Sequence, residues 1–313
     1  MSEAPSQERR PRASLRHWLE YGALRALGGV LSLFPWRVAS AVGAAVGTLG
    51  YRPLRIRRRV VDYQLALAFP ELDARARRRI ALRSYEHLGR VAVEMAIVSK
   101  LKRGTSLDLF HPAVGWEHIA GPLSQGQGVI MVSGHLGNWE LAGGYLVERG
   151  VPIDVVVRRQ TNPLVDRYIT RSRRRLGWTI IPDRDAVSRI PRSIAAGHLV
   201  PMLADQGVKG LASTFVPFFG RDARTPKGPA LLALRLGAPC VLTAIIRQPD
   251  GRYCMHFEPV PVVNTGDRER DVDTIVAAYT RQLEAWVRRY PEQYLWQHRR
   301  WRRRPDGSFE GPS

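Results

Sequence analysis

The sequence predicts an α/β fold in which a central, largely parallel sheet carries helices on both faces, preceded by a hydrophobic helical segment that anchors the chain to a membrane. Three observations carry this. From Gly128 onward short β-rich runs alternate with helix-like stretches, the pattern of parallel strands joined by crossover helices. Between Gly22 and Tyr51 nearly every residue is apolar or small. After it, Tyr85, Leu88, Ala92 and Met95 recur at helical spacing within a strongly basic stretch, which reads as a long amphipathic helix with a basic outer face.

The apolar segment comes first. Its length reaches a membrane, yet Pro35 and Arg37 stand in its middle. Arg9, Arg10, Arg12 and Arg16 precede it and Arg52, Arg55, Arg57, Arg58 and Arg59 follow it, so the positive-inside rule assigns no orientation. The polar lead is too long for an ordinary signal peptide. The expectation is an uncleaved anchor, spanning the bilayer or lying in its cytoplasmic interface, with a buried helical hairpin as the alternative. Basic flanks of this kind attract anionic headgroups by about 1 kcal/mol per residue near the surface.

The stretch from Arg55 to Ala96 supplies the amphipathic helix. The runs GVIMVS, IDVVV, WTIIP, LVPML, CVLTAII and YCMHF then supply strands. NWELAGGYLVER, PLVDRYITRSRRRL, GPALLALRL and DTIVAAYTRQLEAWVRRY supply helices between and after them. The end of the chain, from Arg299, is basic and then polar and is expected to fray.

Charge narrows the partners. In 313 residues, 48 Lys+Arg against 28 Asp+Glu leave a formal charge of +20, which favours polyanions: nucleic acid, anionic lipid headgroups or an acidic carrier protein. Nucleic acid is disfavoured, because no helix-turn-helix, RNP or zinc pattern occurs and the arginines are dispersed. The two cysteines, Cys240 and Cys254, sit in apolar strand-like runs and read as buried thiols.

The stretch SGHLGNWE places His135 where a strand ends and Glu140 where a helix begins. A structural account has Gly134 end the strand, Asn138 cap the helix and Glu140 complement the helix dipole. It leaves the histidine unexplained. In parallel sheets ligands collect at the carboxyl ends of strands, and Gly134 and Gly137 leave room for one to approach. In the functional account Glu140 accepts a hydrogen bond from one imidazole nitrogen and the other faces a substrate hydroxyl, making His135 a general base. No G-x-S-x-G elbow, phosphate-binding loop, G-x-G-x-x-G fingerprint or H-E-x-x-H pair is present, so hydrolase, nucleotide and zinc chemistry have no visible site.

The H-x-x-x-x-E block after an apolar strand resembles the signature of the lysophospholipid acyltransferase superfamily. Further segments match its lipid A late acyltransferase branch in order: LALAFPEL, SGHLGNWE, VVRRQTNP, ADQGVKG, FVPFFGRDARTPKGPALLA and YPEQYLWQHRRWRRRP. Where glycerolipid enzymes of the superfamily carry E-G-T-R, this chain has Asp205-Gln206-Gly207. The resemblance implies transfer of a fatty acyl chain from acyl carrier protein or coenzyme A to a hydroxyl of a membrane glycolipid at the cytoplasmic face of the inner membrane, with no metal or bound cofactor. A lysophospholipid, aminolipid or phosphatidylinositol mannoside acceptor would suit the same chemistry.

It makes His135 and Glu140 catalytic and places Arg158, Asn138, Asp205 and Gln206 among the substrate-binding residues. Arg158, or Arg159 beside it, would meet a thioester oxygen or a phosphate. Trp139, Phe218 and Phe219 would line an acyl tunnel or simply fill the core, and Trp296 and Trp301 would sit at headgroup level or in a solvated tail. The clusters Arg57-Arg58-Arg59 and Arg173-Arg174-Arg175 would form a docking face for the acidic carrier. Residues 1–51 are then the basic N-terminus and anchor, 52–305 the acyltransferase domain and 306–313 a polar tail.

Overall fold

The structure, a computed structural model, describes residues 13–98, 104–207, 210 and 212–312. Helices α1 (Leu15–Leu31), α2 (Trp36–Tyr51), α3 (Arg58–Ala68) and α4 (Ala74–Ile97) precede the sheet. The sheet is built from β1 (Val129–Ser133), β4 (Leu199–Leu203), β7 (Cys240–Arg247) and β8 (Tyr253–Pro259) in the order β4-β1-β7-β8. β1 runs parallel to both neighbours, and β8 closes the edge antiparallel to β7. A parallel pair, β2 (Asp154–Val157) and β3 (Thr179–Pro182), continues the sheet beyond β4 through a parallel bridge from Ile153 to Leu199.

Alternation along the strands splits the core in two. Ile130 and Val132 of β1 join Leu242, Ala244 and Ile246 of β7 on one face. There they meet α8 (Ala186–Ala195), α9 (Gly228–Leu236) and α10 (Arg268–Arg289). Val129 and Met131 point the other way, with Val241 and Ile245, onto α5 (Glu117–Ser124) and α6 (Trp139–Glu148). The remaining helix, α7 (Pro163–Arg175), starts at Asn162, whose side chain caps the amides of Leu164 and Val165.

All six expected strands form. A seventh and eighth, β5 (Ser213–Phe218) and β6 (Arg221–Pro226), make a separate antiparallel hairpin whose charged residues and prolines hide it from periodicity. The long basic helix is two helices, because Phe69-Pro70 ends the first and Asp73 caps the second through the Ala76 amide at 2.6 Å.

The expectation of a membrane-spanning anchor is corrected. Among the described residues no helix is long and apolar enough to cross a membrane. Pro35 at the start of α2 divides the apolar segment into two helices, and both α1 and the inner side of α2 pack onto α4. Glycines permit the close crossing: a Cβ on Gly89 would lie 2.0 Å from the Gly43 carbonyl oxygen. The outer side keeps Leu19, Leu27, Val30, Leu33, Val42 and Val46 exposed. Arg9, Arg10 and Arg12 lie outside the described residues. The end of the chain does not fray through residue 312: Arg303 bridges Phe309, and Glu310 takes Tyr63 at 2.8 Å and Arg304 at 2.9 Å.

Candidate active site

β1 and β4 run in register with Ser133 beside Leu203, and each chain continues two residues past its strand to a polar side chain, His135 and Asp205. These two meet. His135 Nδ1 lies 2.7 Å from Asp205 Oδ1, and the His135 backbone N–H donates to Asp205 Oδ2 at 2.9 Å. Asp205 is 2% exposed, so its charge works in a poorly screened setting. The Gln206 amide lies 3.2 Å from the same imidazole nitrogen. With Nδ1 donating to a carboxylate, Nε2 is the acceptor.

The loop carrying His135 is pinned from several sides. Gly137 has φ +68°, and a Cβ there would fall 1.4 Å from the Ile245 carbonyl oxygen, so the closeness to β7 requires glycine. The Gly137 N–H donates to the Gln293 carbonyl at 3.0 Å, and the Leu295 N–H donates to the His135 carbonyl at 3.0 Å. His87 Nε2 contacts the Gly137 carbonyl oxygen at 3.2 Å, and burial pulls that imidazole down to about 4, leaving it neutral at physiological pH. The Trp139 ring stands edge-on to His135 with centroids 4.8 Å apart.

The electrostatics follow from this packing. Burial works to lower the His135 pKa, but the charge and hydrogen bond of Asp205, with a smaller part from the charge of Glu140, raise it above its ordinary value. Burial works to raise Asp205, yet His135, through charge and two hydrogen bonds, and Arg300 hold that carboxyl at about 2. Tyr294, buried nearby, has its hydroxyl pushed well up by burial and then by Asp205.

Several sequence expectations change at the level of contact. Glu140 does not receive the imidazole N–H; it sits in the first turn of α6 and faces α7, where Arg173 Nε donates to it at 3.1 Å and Arg173 Nη2 makes a second, short bond. Asp205 takes the place expected for Glu140, a role its sequence position two residues past a strand only hinted at. Asn138 is fully buried, its Oδ1 capping the Leu141 amide at 3.1 Å and its Nδ2 donating to Glu94 at 2.8 Å, so it holds the helix instead of a substrate. Glu94, 0% exposed, also pairs with Arg247 and accepts from Ser40 and Tyr253. No sequence pattern marked it.

Arg158 is exposed just past β2, two strands away from β1. Phe218 and Phe219 are buried in the core, as are Trp296 and Trp301, which rules out a headgroup-level position for those two rings in this fold. Arg173 is spent on Glu140, so the second arginine cluster offers Arg174 and Arg175 to solvent. Val208 and Lys209, within the ADQGVKG block, lie outside the described residues.

Comparison with known proteins bears on the chemistry. The chain is 29% identical over 301 residues to the lipid A biosynthesis lauroyltransferase of Escherichia coli (strain K12), covering 93% of this chain and 94% of that one. It is 27% identical over 303 residues to the lipid A biosynthesis palmitoleoyltransferase of the same organism, again covering 93% and 94%. A phosphatidylinositol mannoside acyltransferase of Mycolicibacterium smegmatis is 26% identical over 220 residues, 69% of each chain. The family model for bacterial lipid A biosynthesis acyltransferases matches residues 6–303, and the chain belongs to that family.

Proposed function

We propose that the protein moves a fatty acyl chain from a thioester of acyl carrier protein or coenzyme A to a hydroxyl of a lipid A precursor or related glycolipid, with His135 as general base. The observation that carries this reading is the buried Asp205 carboxylate on His135 Nδ1, which leaves Nε2 to accept the hydroxyl proton. The acceptor oxygen then attacks the thioester carbonyl. Collapse of the tetrahedral intermediate expels the thiolate, which takes the proton from the imidazolium, giving ester and thiol. Asp205 fixes the ring and balances its charge, and Glu140 adds a more distant negative charge.

A direct transfer, without an acyl-enzyme, fits the surroundings. The Ser133 hydroxyl donates to the Thr243 carbonyl at 2.7 Å, and both cysteines are buried, Cys240 with its thiol pushed up to about 12 by burial. We assign Arg158 to an anionic group of an incoming substrate. The exposed apolar side of α1 and α2, together with the +20 charge, supports a chain that lies on an anionic membrane surface, the cytoplasmic face of the inner membrane, without crossing it.

A phosphatidylinositol mannoside is the second acceptor reading, favoured by the mycobacterial relative. The decisive experiment is mass spectrometry of the lipids of a deletion strain, complemented with the wild-type gene or with His135→Ala. Loss of one ester-linked acyl chain from a glycolipid, restored only by the wild type, is expected, and the glycolipid affected names the acceptor. An unchanged lipid profile, or full rescue by His135→Ala, sinks the reading.

A further inference from the structure

Two residues past Asp205, Gly207 forms part of the wall of a second feature, a cavity of about 750 Å³. Six arginines line it: Arg57, Arg224, Arg299, Arg300, Arg302 and Arg303. His298 and Phe309 complete the wall. The arginines come from three separate parts of the chain, so the fold gathers them; a single basic run does not account for the cluster. We propose that this cavity is an organophosphate site, holding a phosphate-bearing part of a substrate beside His135; the inference rests on the acyl-transfer reading for which substrate is held, not for the binding itself.

Among the described residues no carboxylate pairs with the arginines of the cavity. Among the described residues the ion pairs nearby, Arg58–Asp62, Arg221–Glu310 and Arg304–Glu310, use neighbouring arginines, and none of the six takes part in an ion pair. Their bonds go to neutral acceptors. Arg57 donates to the Gln297 carbonyl at 3.1 Å and Arg224 to the Ser213 hydroxyl at 2.6 Å. Arg300 donates to the Arg224 carbonyl and the Thr225 hydroxyl, both at 2.6 Å, and Arg302 lies over the Phe309 ring. Arg300 is 5% exposed, yet its Nε has no partner. The nearby carboxylate, Asp205, is already committed to His135.

Gathering like charges around one cavity is unfavourable by Coulomb's law unless an anion occupies it. Guanidinium groups present planar forks that match phosphate oxygens two at a time, which makes arginine the fitting residue for that anion. The volume suits a group the size of a sugar phosphate or nucleotide, well beyond a single inorganic ion. His298 does not add to the charge: burial, then the cations around it, outweigh Asp205 and pull it down to about 4, so it stays neutral and serves as a hydrogen-bonding wall. Phosphate of this kind reaches the site from two sources, the acceptor headgroup or the phosphopantetheine or nucleotide part of the donor thioester.

The test titrates the whole chain, purified in detergent, with inorganic pyrophosphate by calorimetry. Arg299→Gln/Arg303→Gln removes two cavity charges, and Arg78→Gln/Arg79→Gln, two exposed arginines of α4, removes the same charge elsewhere. The cavity pair is expected to bind pyrophosphate at least about tenfold more weakly, and the control pair to match the wild type. In steady-state kinetics a raised KM for the acceptor assigns the phosphate to the headgroup, and a raised KM for the thioester assigns it to the donor. If the double variant does not fold, Arg302→Gln alone is read the same way. Unchanged pyrophosphate affinity, an equal loss in the control, or an unchanged KM for both substrates each overturns the proposal. His135→Ala retains pyrophosphate binding, so failure of the catalytic reading and failure of the phosphate site are told apart.

Discussion

The Nδ1 atom of His135 lies 2.7 Å from Oδ1 of Asp205, and the other oxygen of that carboxylate holds the His135 backbone N–H at 2.9 Å. One buried side chain thereby fixes both where the imidazole stands and which nitrogen carries the proton. It links the ends of two neighbouring parallel strands at the carboxyl end of the sheet, where ligands of such sheets collect.

The pair sets a pH dependence. A general base must be neutral, and the His135 pKa is raised, so the acid limb of kcat/KM is expected above the ordinary histidine value of about 6.5. Asp205→Asn removes the strongest raising influence, leaving burial to pull the ring down. The limb then moves to lower pH while the plateau falls by about 10²–10⁴-fold. A pH–rate profile of the variant checks both, and an unmoved limb would show that the contact does not act on the ring. Stability follows the signs of the shifts. Asp205 contributes above its unfolded pKa of 3.8 and loses that contribution as pH falls through about 2. His135 contributes below 6.5 and loses it as pH rises through its raised value.

Glu140 and Arg173 give a separate prediction. Both are largely buried, at 9% and 18% side-chain exposure, and Arg173 donates twice to the carboxylate. Arg173→Ala is expected to destabilise the fold by about 3–5 kcal/mol, because it leaves a buried carboxylate unpaired. Glu140→Gln loses only a distant charge on the imidazolium, and its kcat is expected to fall by about tenfold, less than for Asp205→Asn. Chemical denaturation and kcat measured on the three variants separate the roles. A Glu140→Gln loss as large as that of Asp205→Asn would restore Glu140 as the working partner of the ring.

Strand identity was legible because buried parallel strands announce themselves as short apolar runs, and β1 through its histidine reads that way in isolation. The carboxylate on His135 was not legible, since the His135–Asp205 contact joins strands separated by 70 residues and depends on register. Sequence proximity pointed to Glu140, which a helical first turn does place nearby, but a long arginine from α7 reaches it first. The Gly22–Tyr51 segment misled in another way: its small residues read as membrane length, whereas Gly43 and Gly47 are small because α4 crosses against them.

Glu94 predicts how the core of the site is held. It is 0% exposed and ties Ser40 of α2, Asn138 at the start of α6, and Arg247 and Tyr253 of the sheet to one carboxylate. Glu94→Gln leaves Arg247 with an uncompensated charge at 13% side-chain exposure and is expected to cost about 3–5 kcal/mol in urea unfolding. Arg247→Met in the same chain should recover a large part of that loss, as removal of both charges removes the unpaired one. Additive losses in the double variant would mean that the two residues stabilise the fold independently.

The exposed apolar residues of α1 and α2 carry the last prediction. Leu19 and Leu27 of α1 and Leu33 in the turn before α2 are 67%, 49% and 82% exposed, while both helices pack on α4. Exposed apolar side chains of this kind are unfavourable in water and favourable against acyl chains. A fully buried leucine contributes about 1.5–3 kcal/mol and these three expose about two side chains' worth of surface, so Leu19→Glu/Leu27→Glu/Leu33→Glu is expected to lower partitioning into anionic vesicles by at least about a hundredfold. Salt separates this from charge. Raising ionic strength shortens the Debye length from about 10 Å at 0.1 M to about 3 Å at 1 M, which weakens attraction of the +20 chain to headgroups but leaves apolar burial intact. Vesicle flotation of the wild-type chain is therefore expected to persist at 1 M salt and to fail for the triple variant at 0.1 M. Release of the wild type by salt, with the triple variant still bound at low salt, would show that the arginines hold the protein at the membrane and the exposed leucines do not.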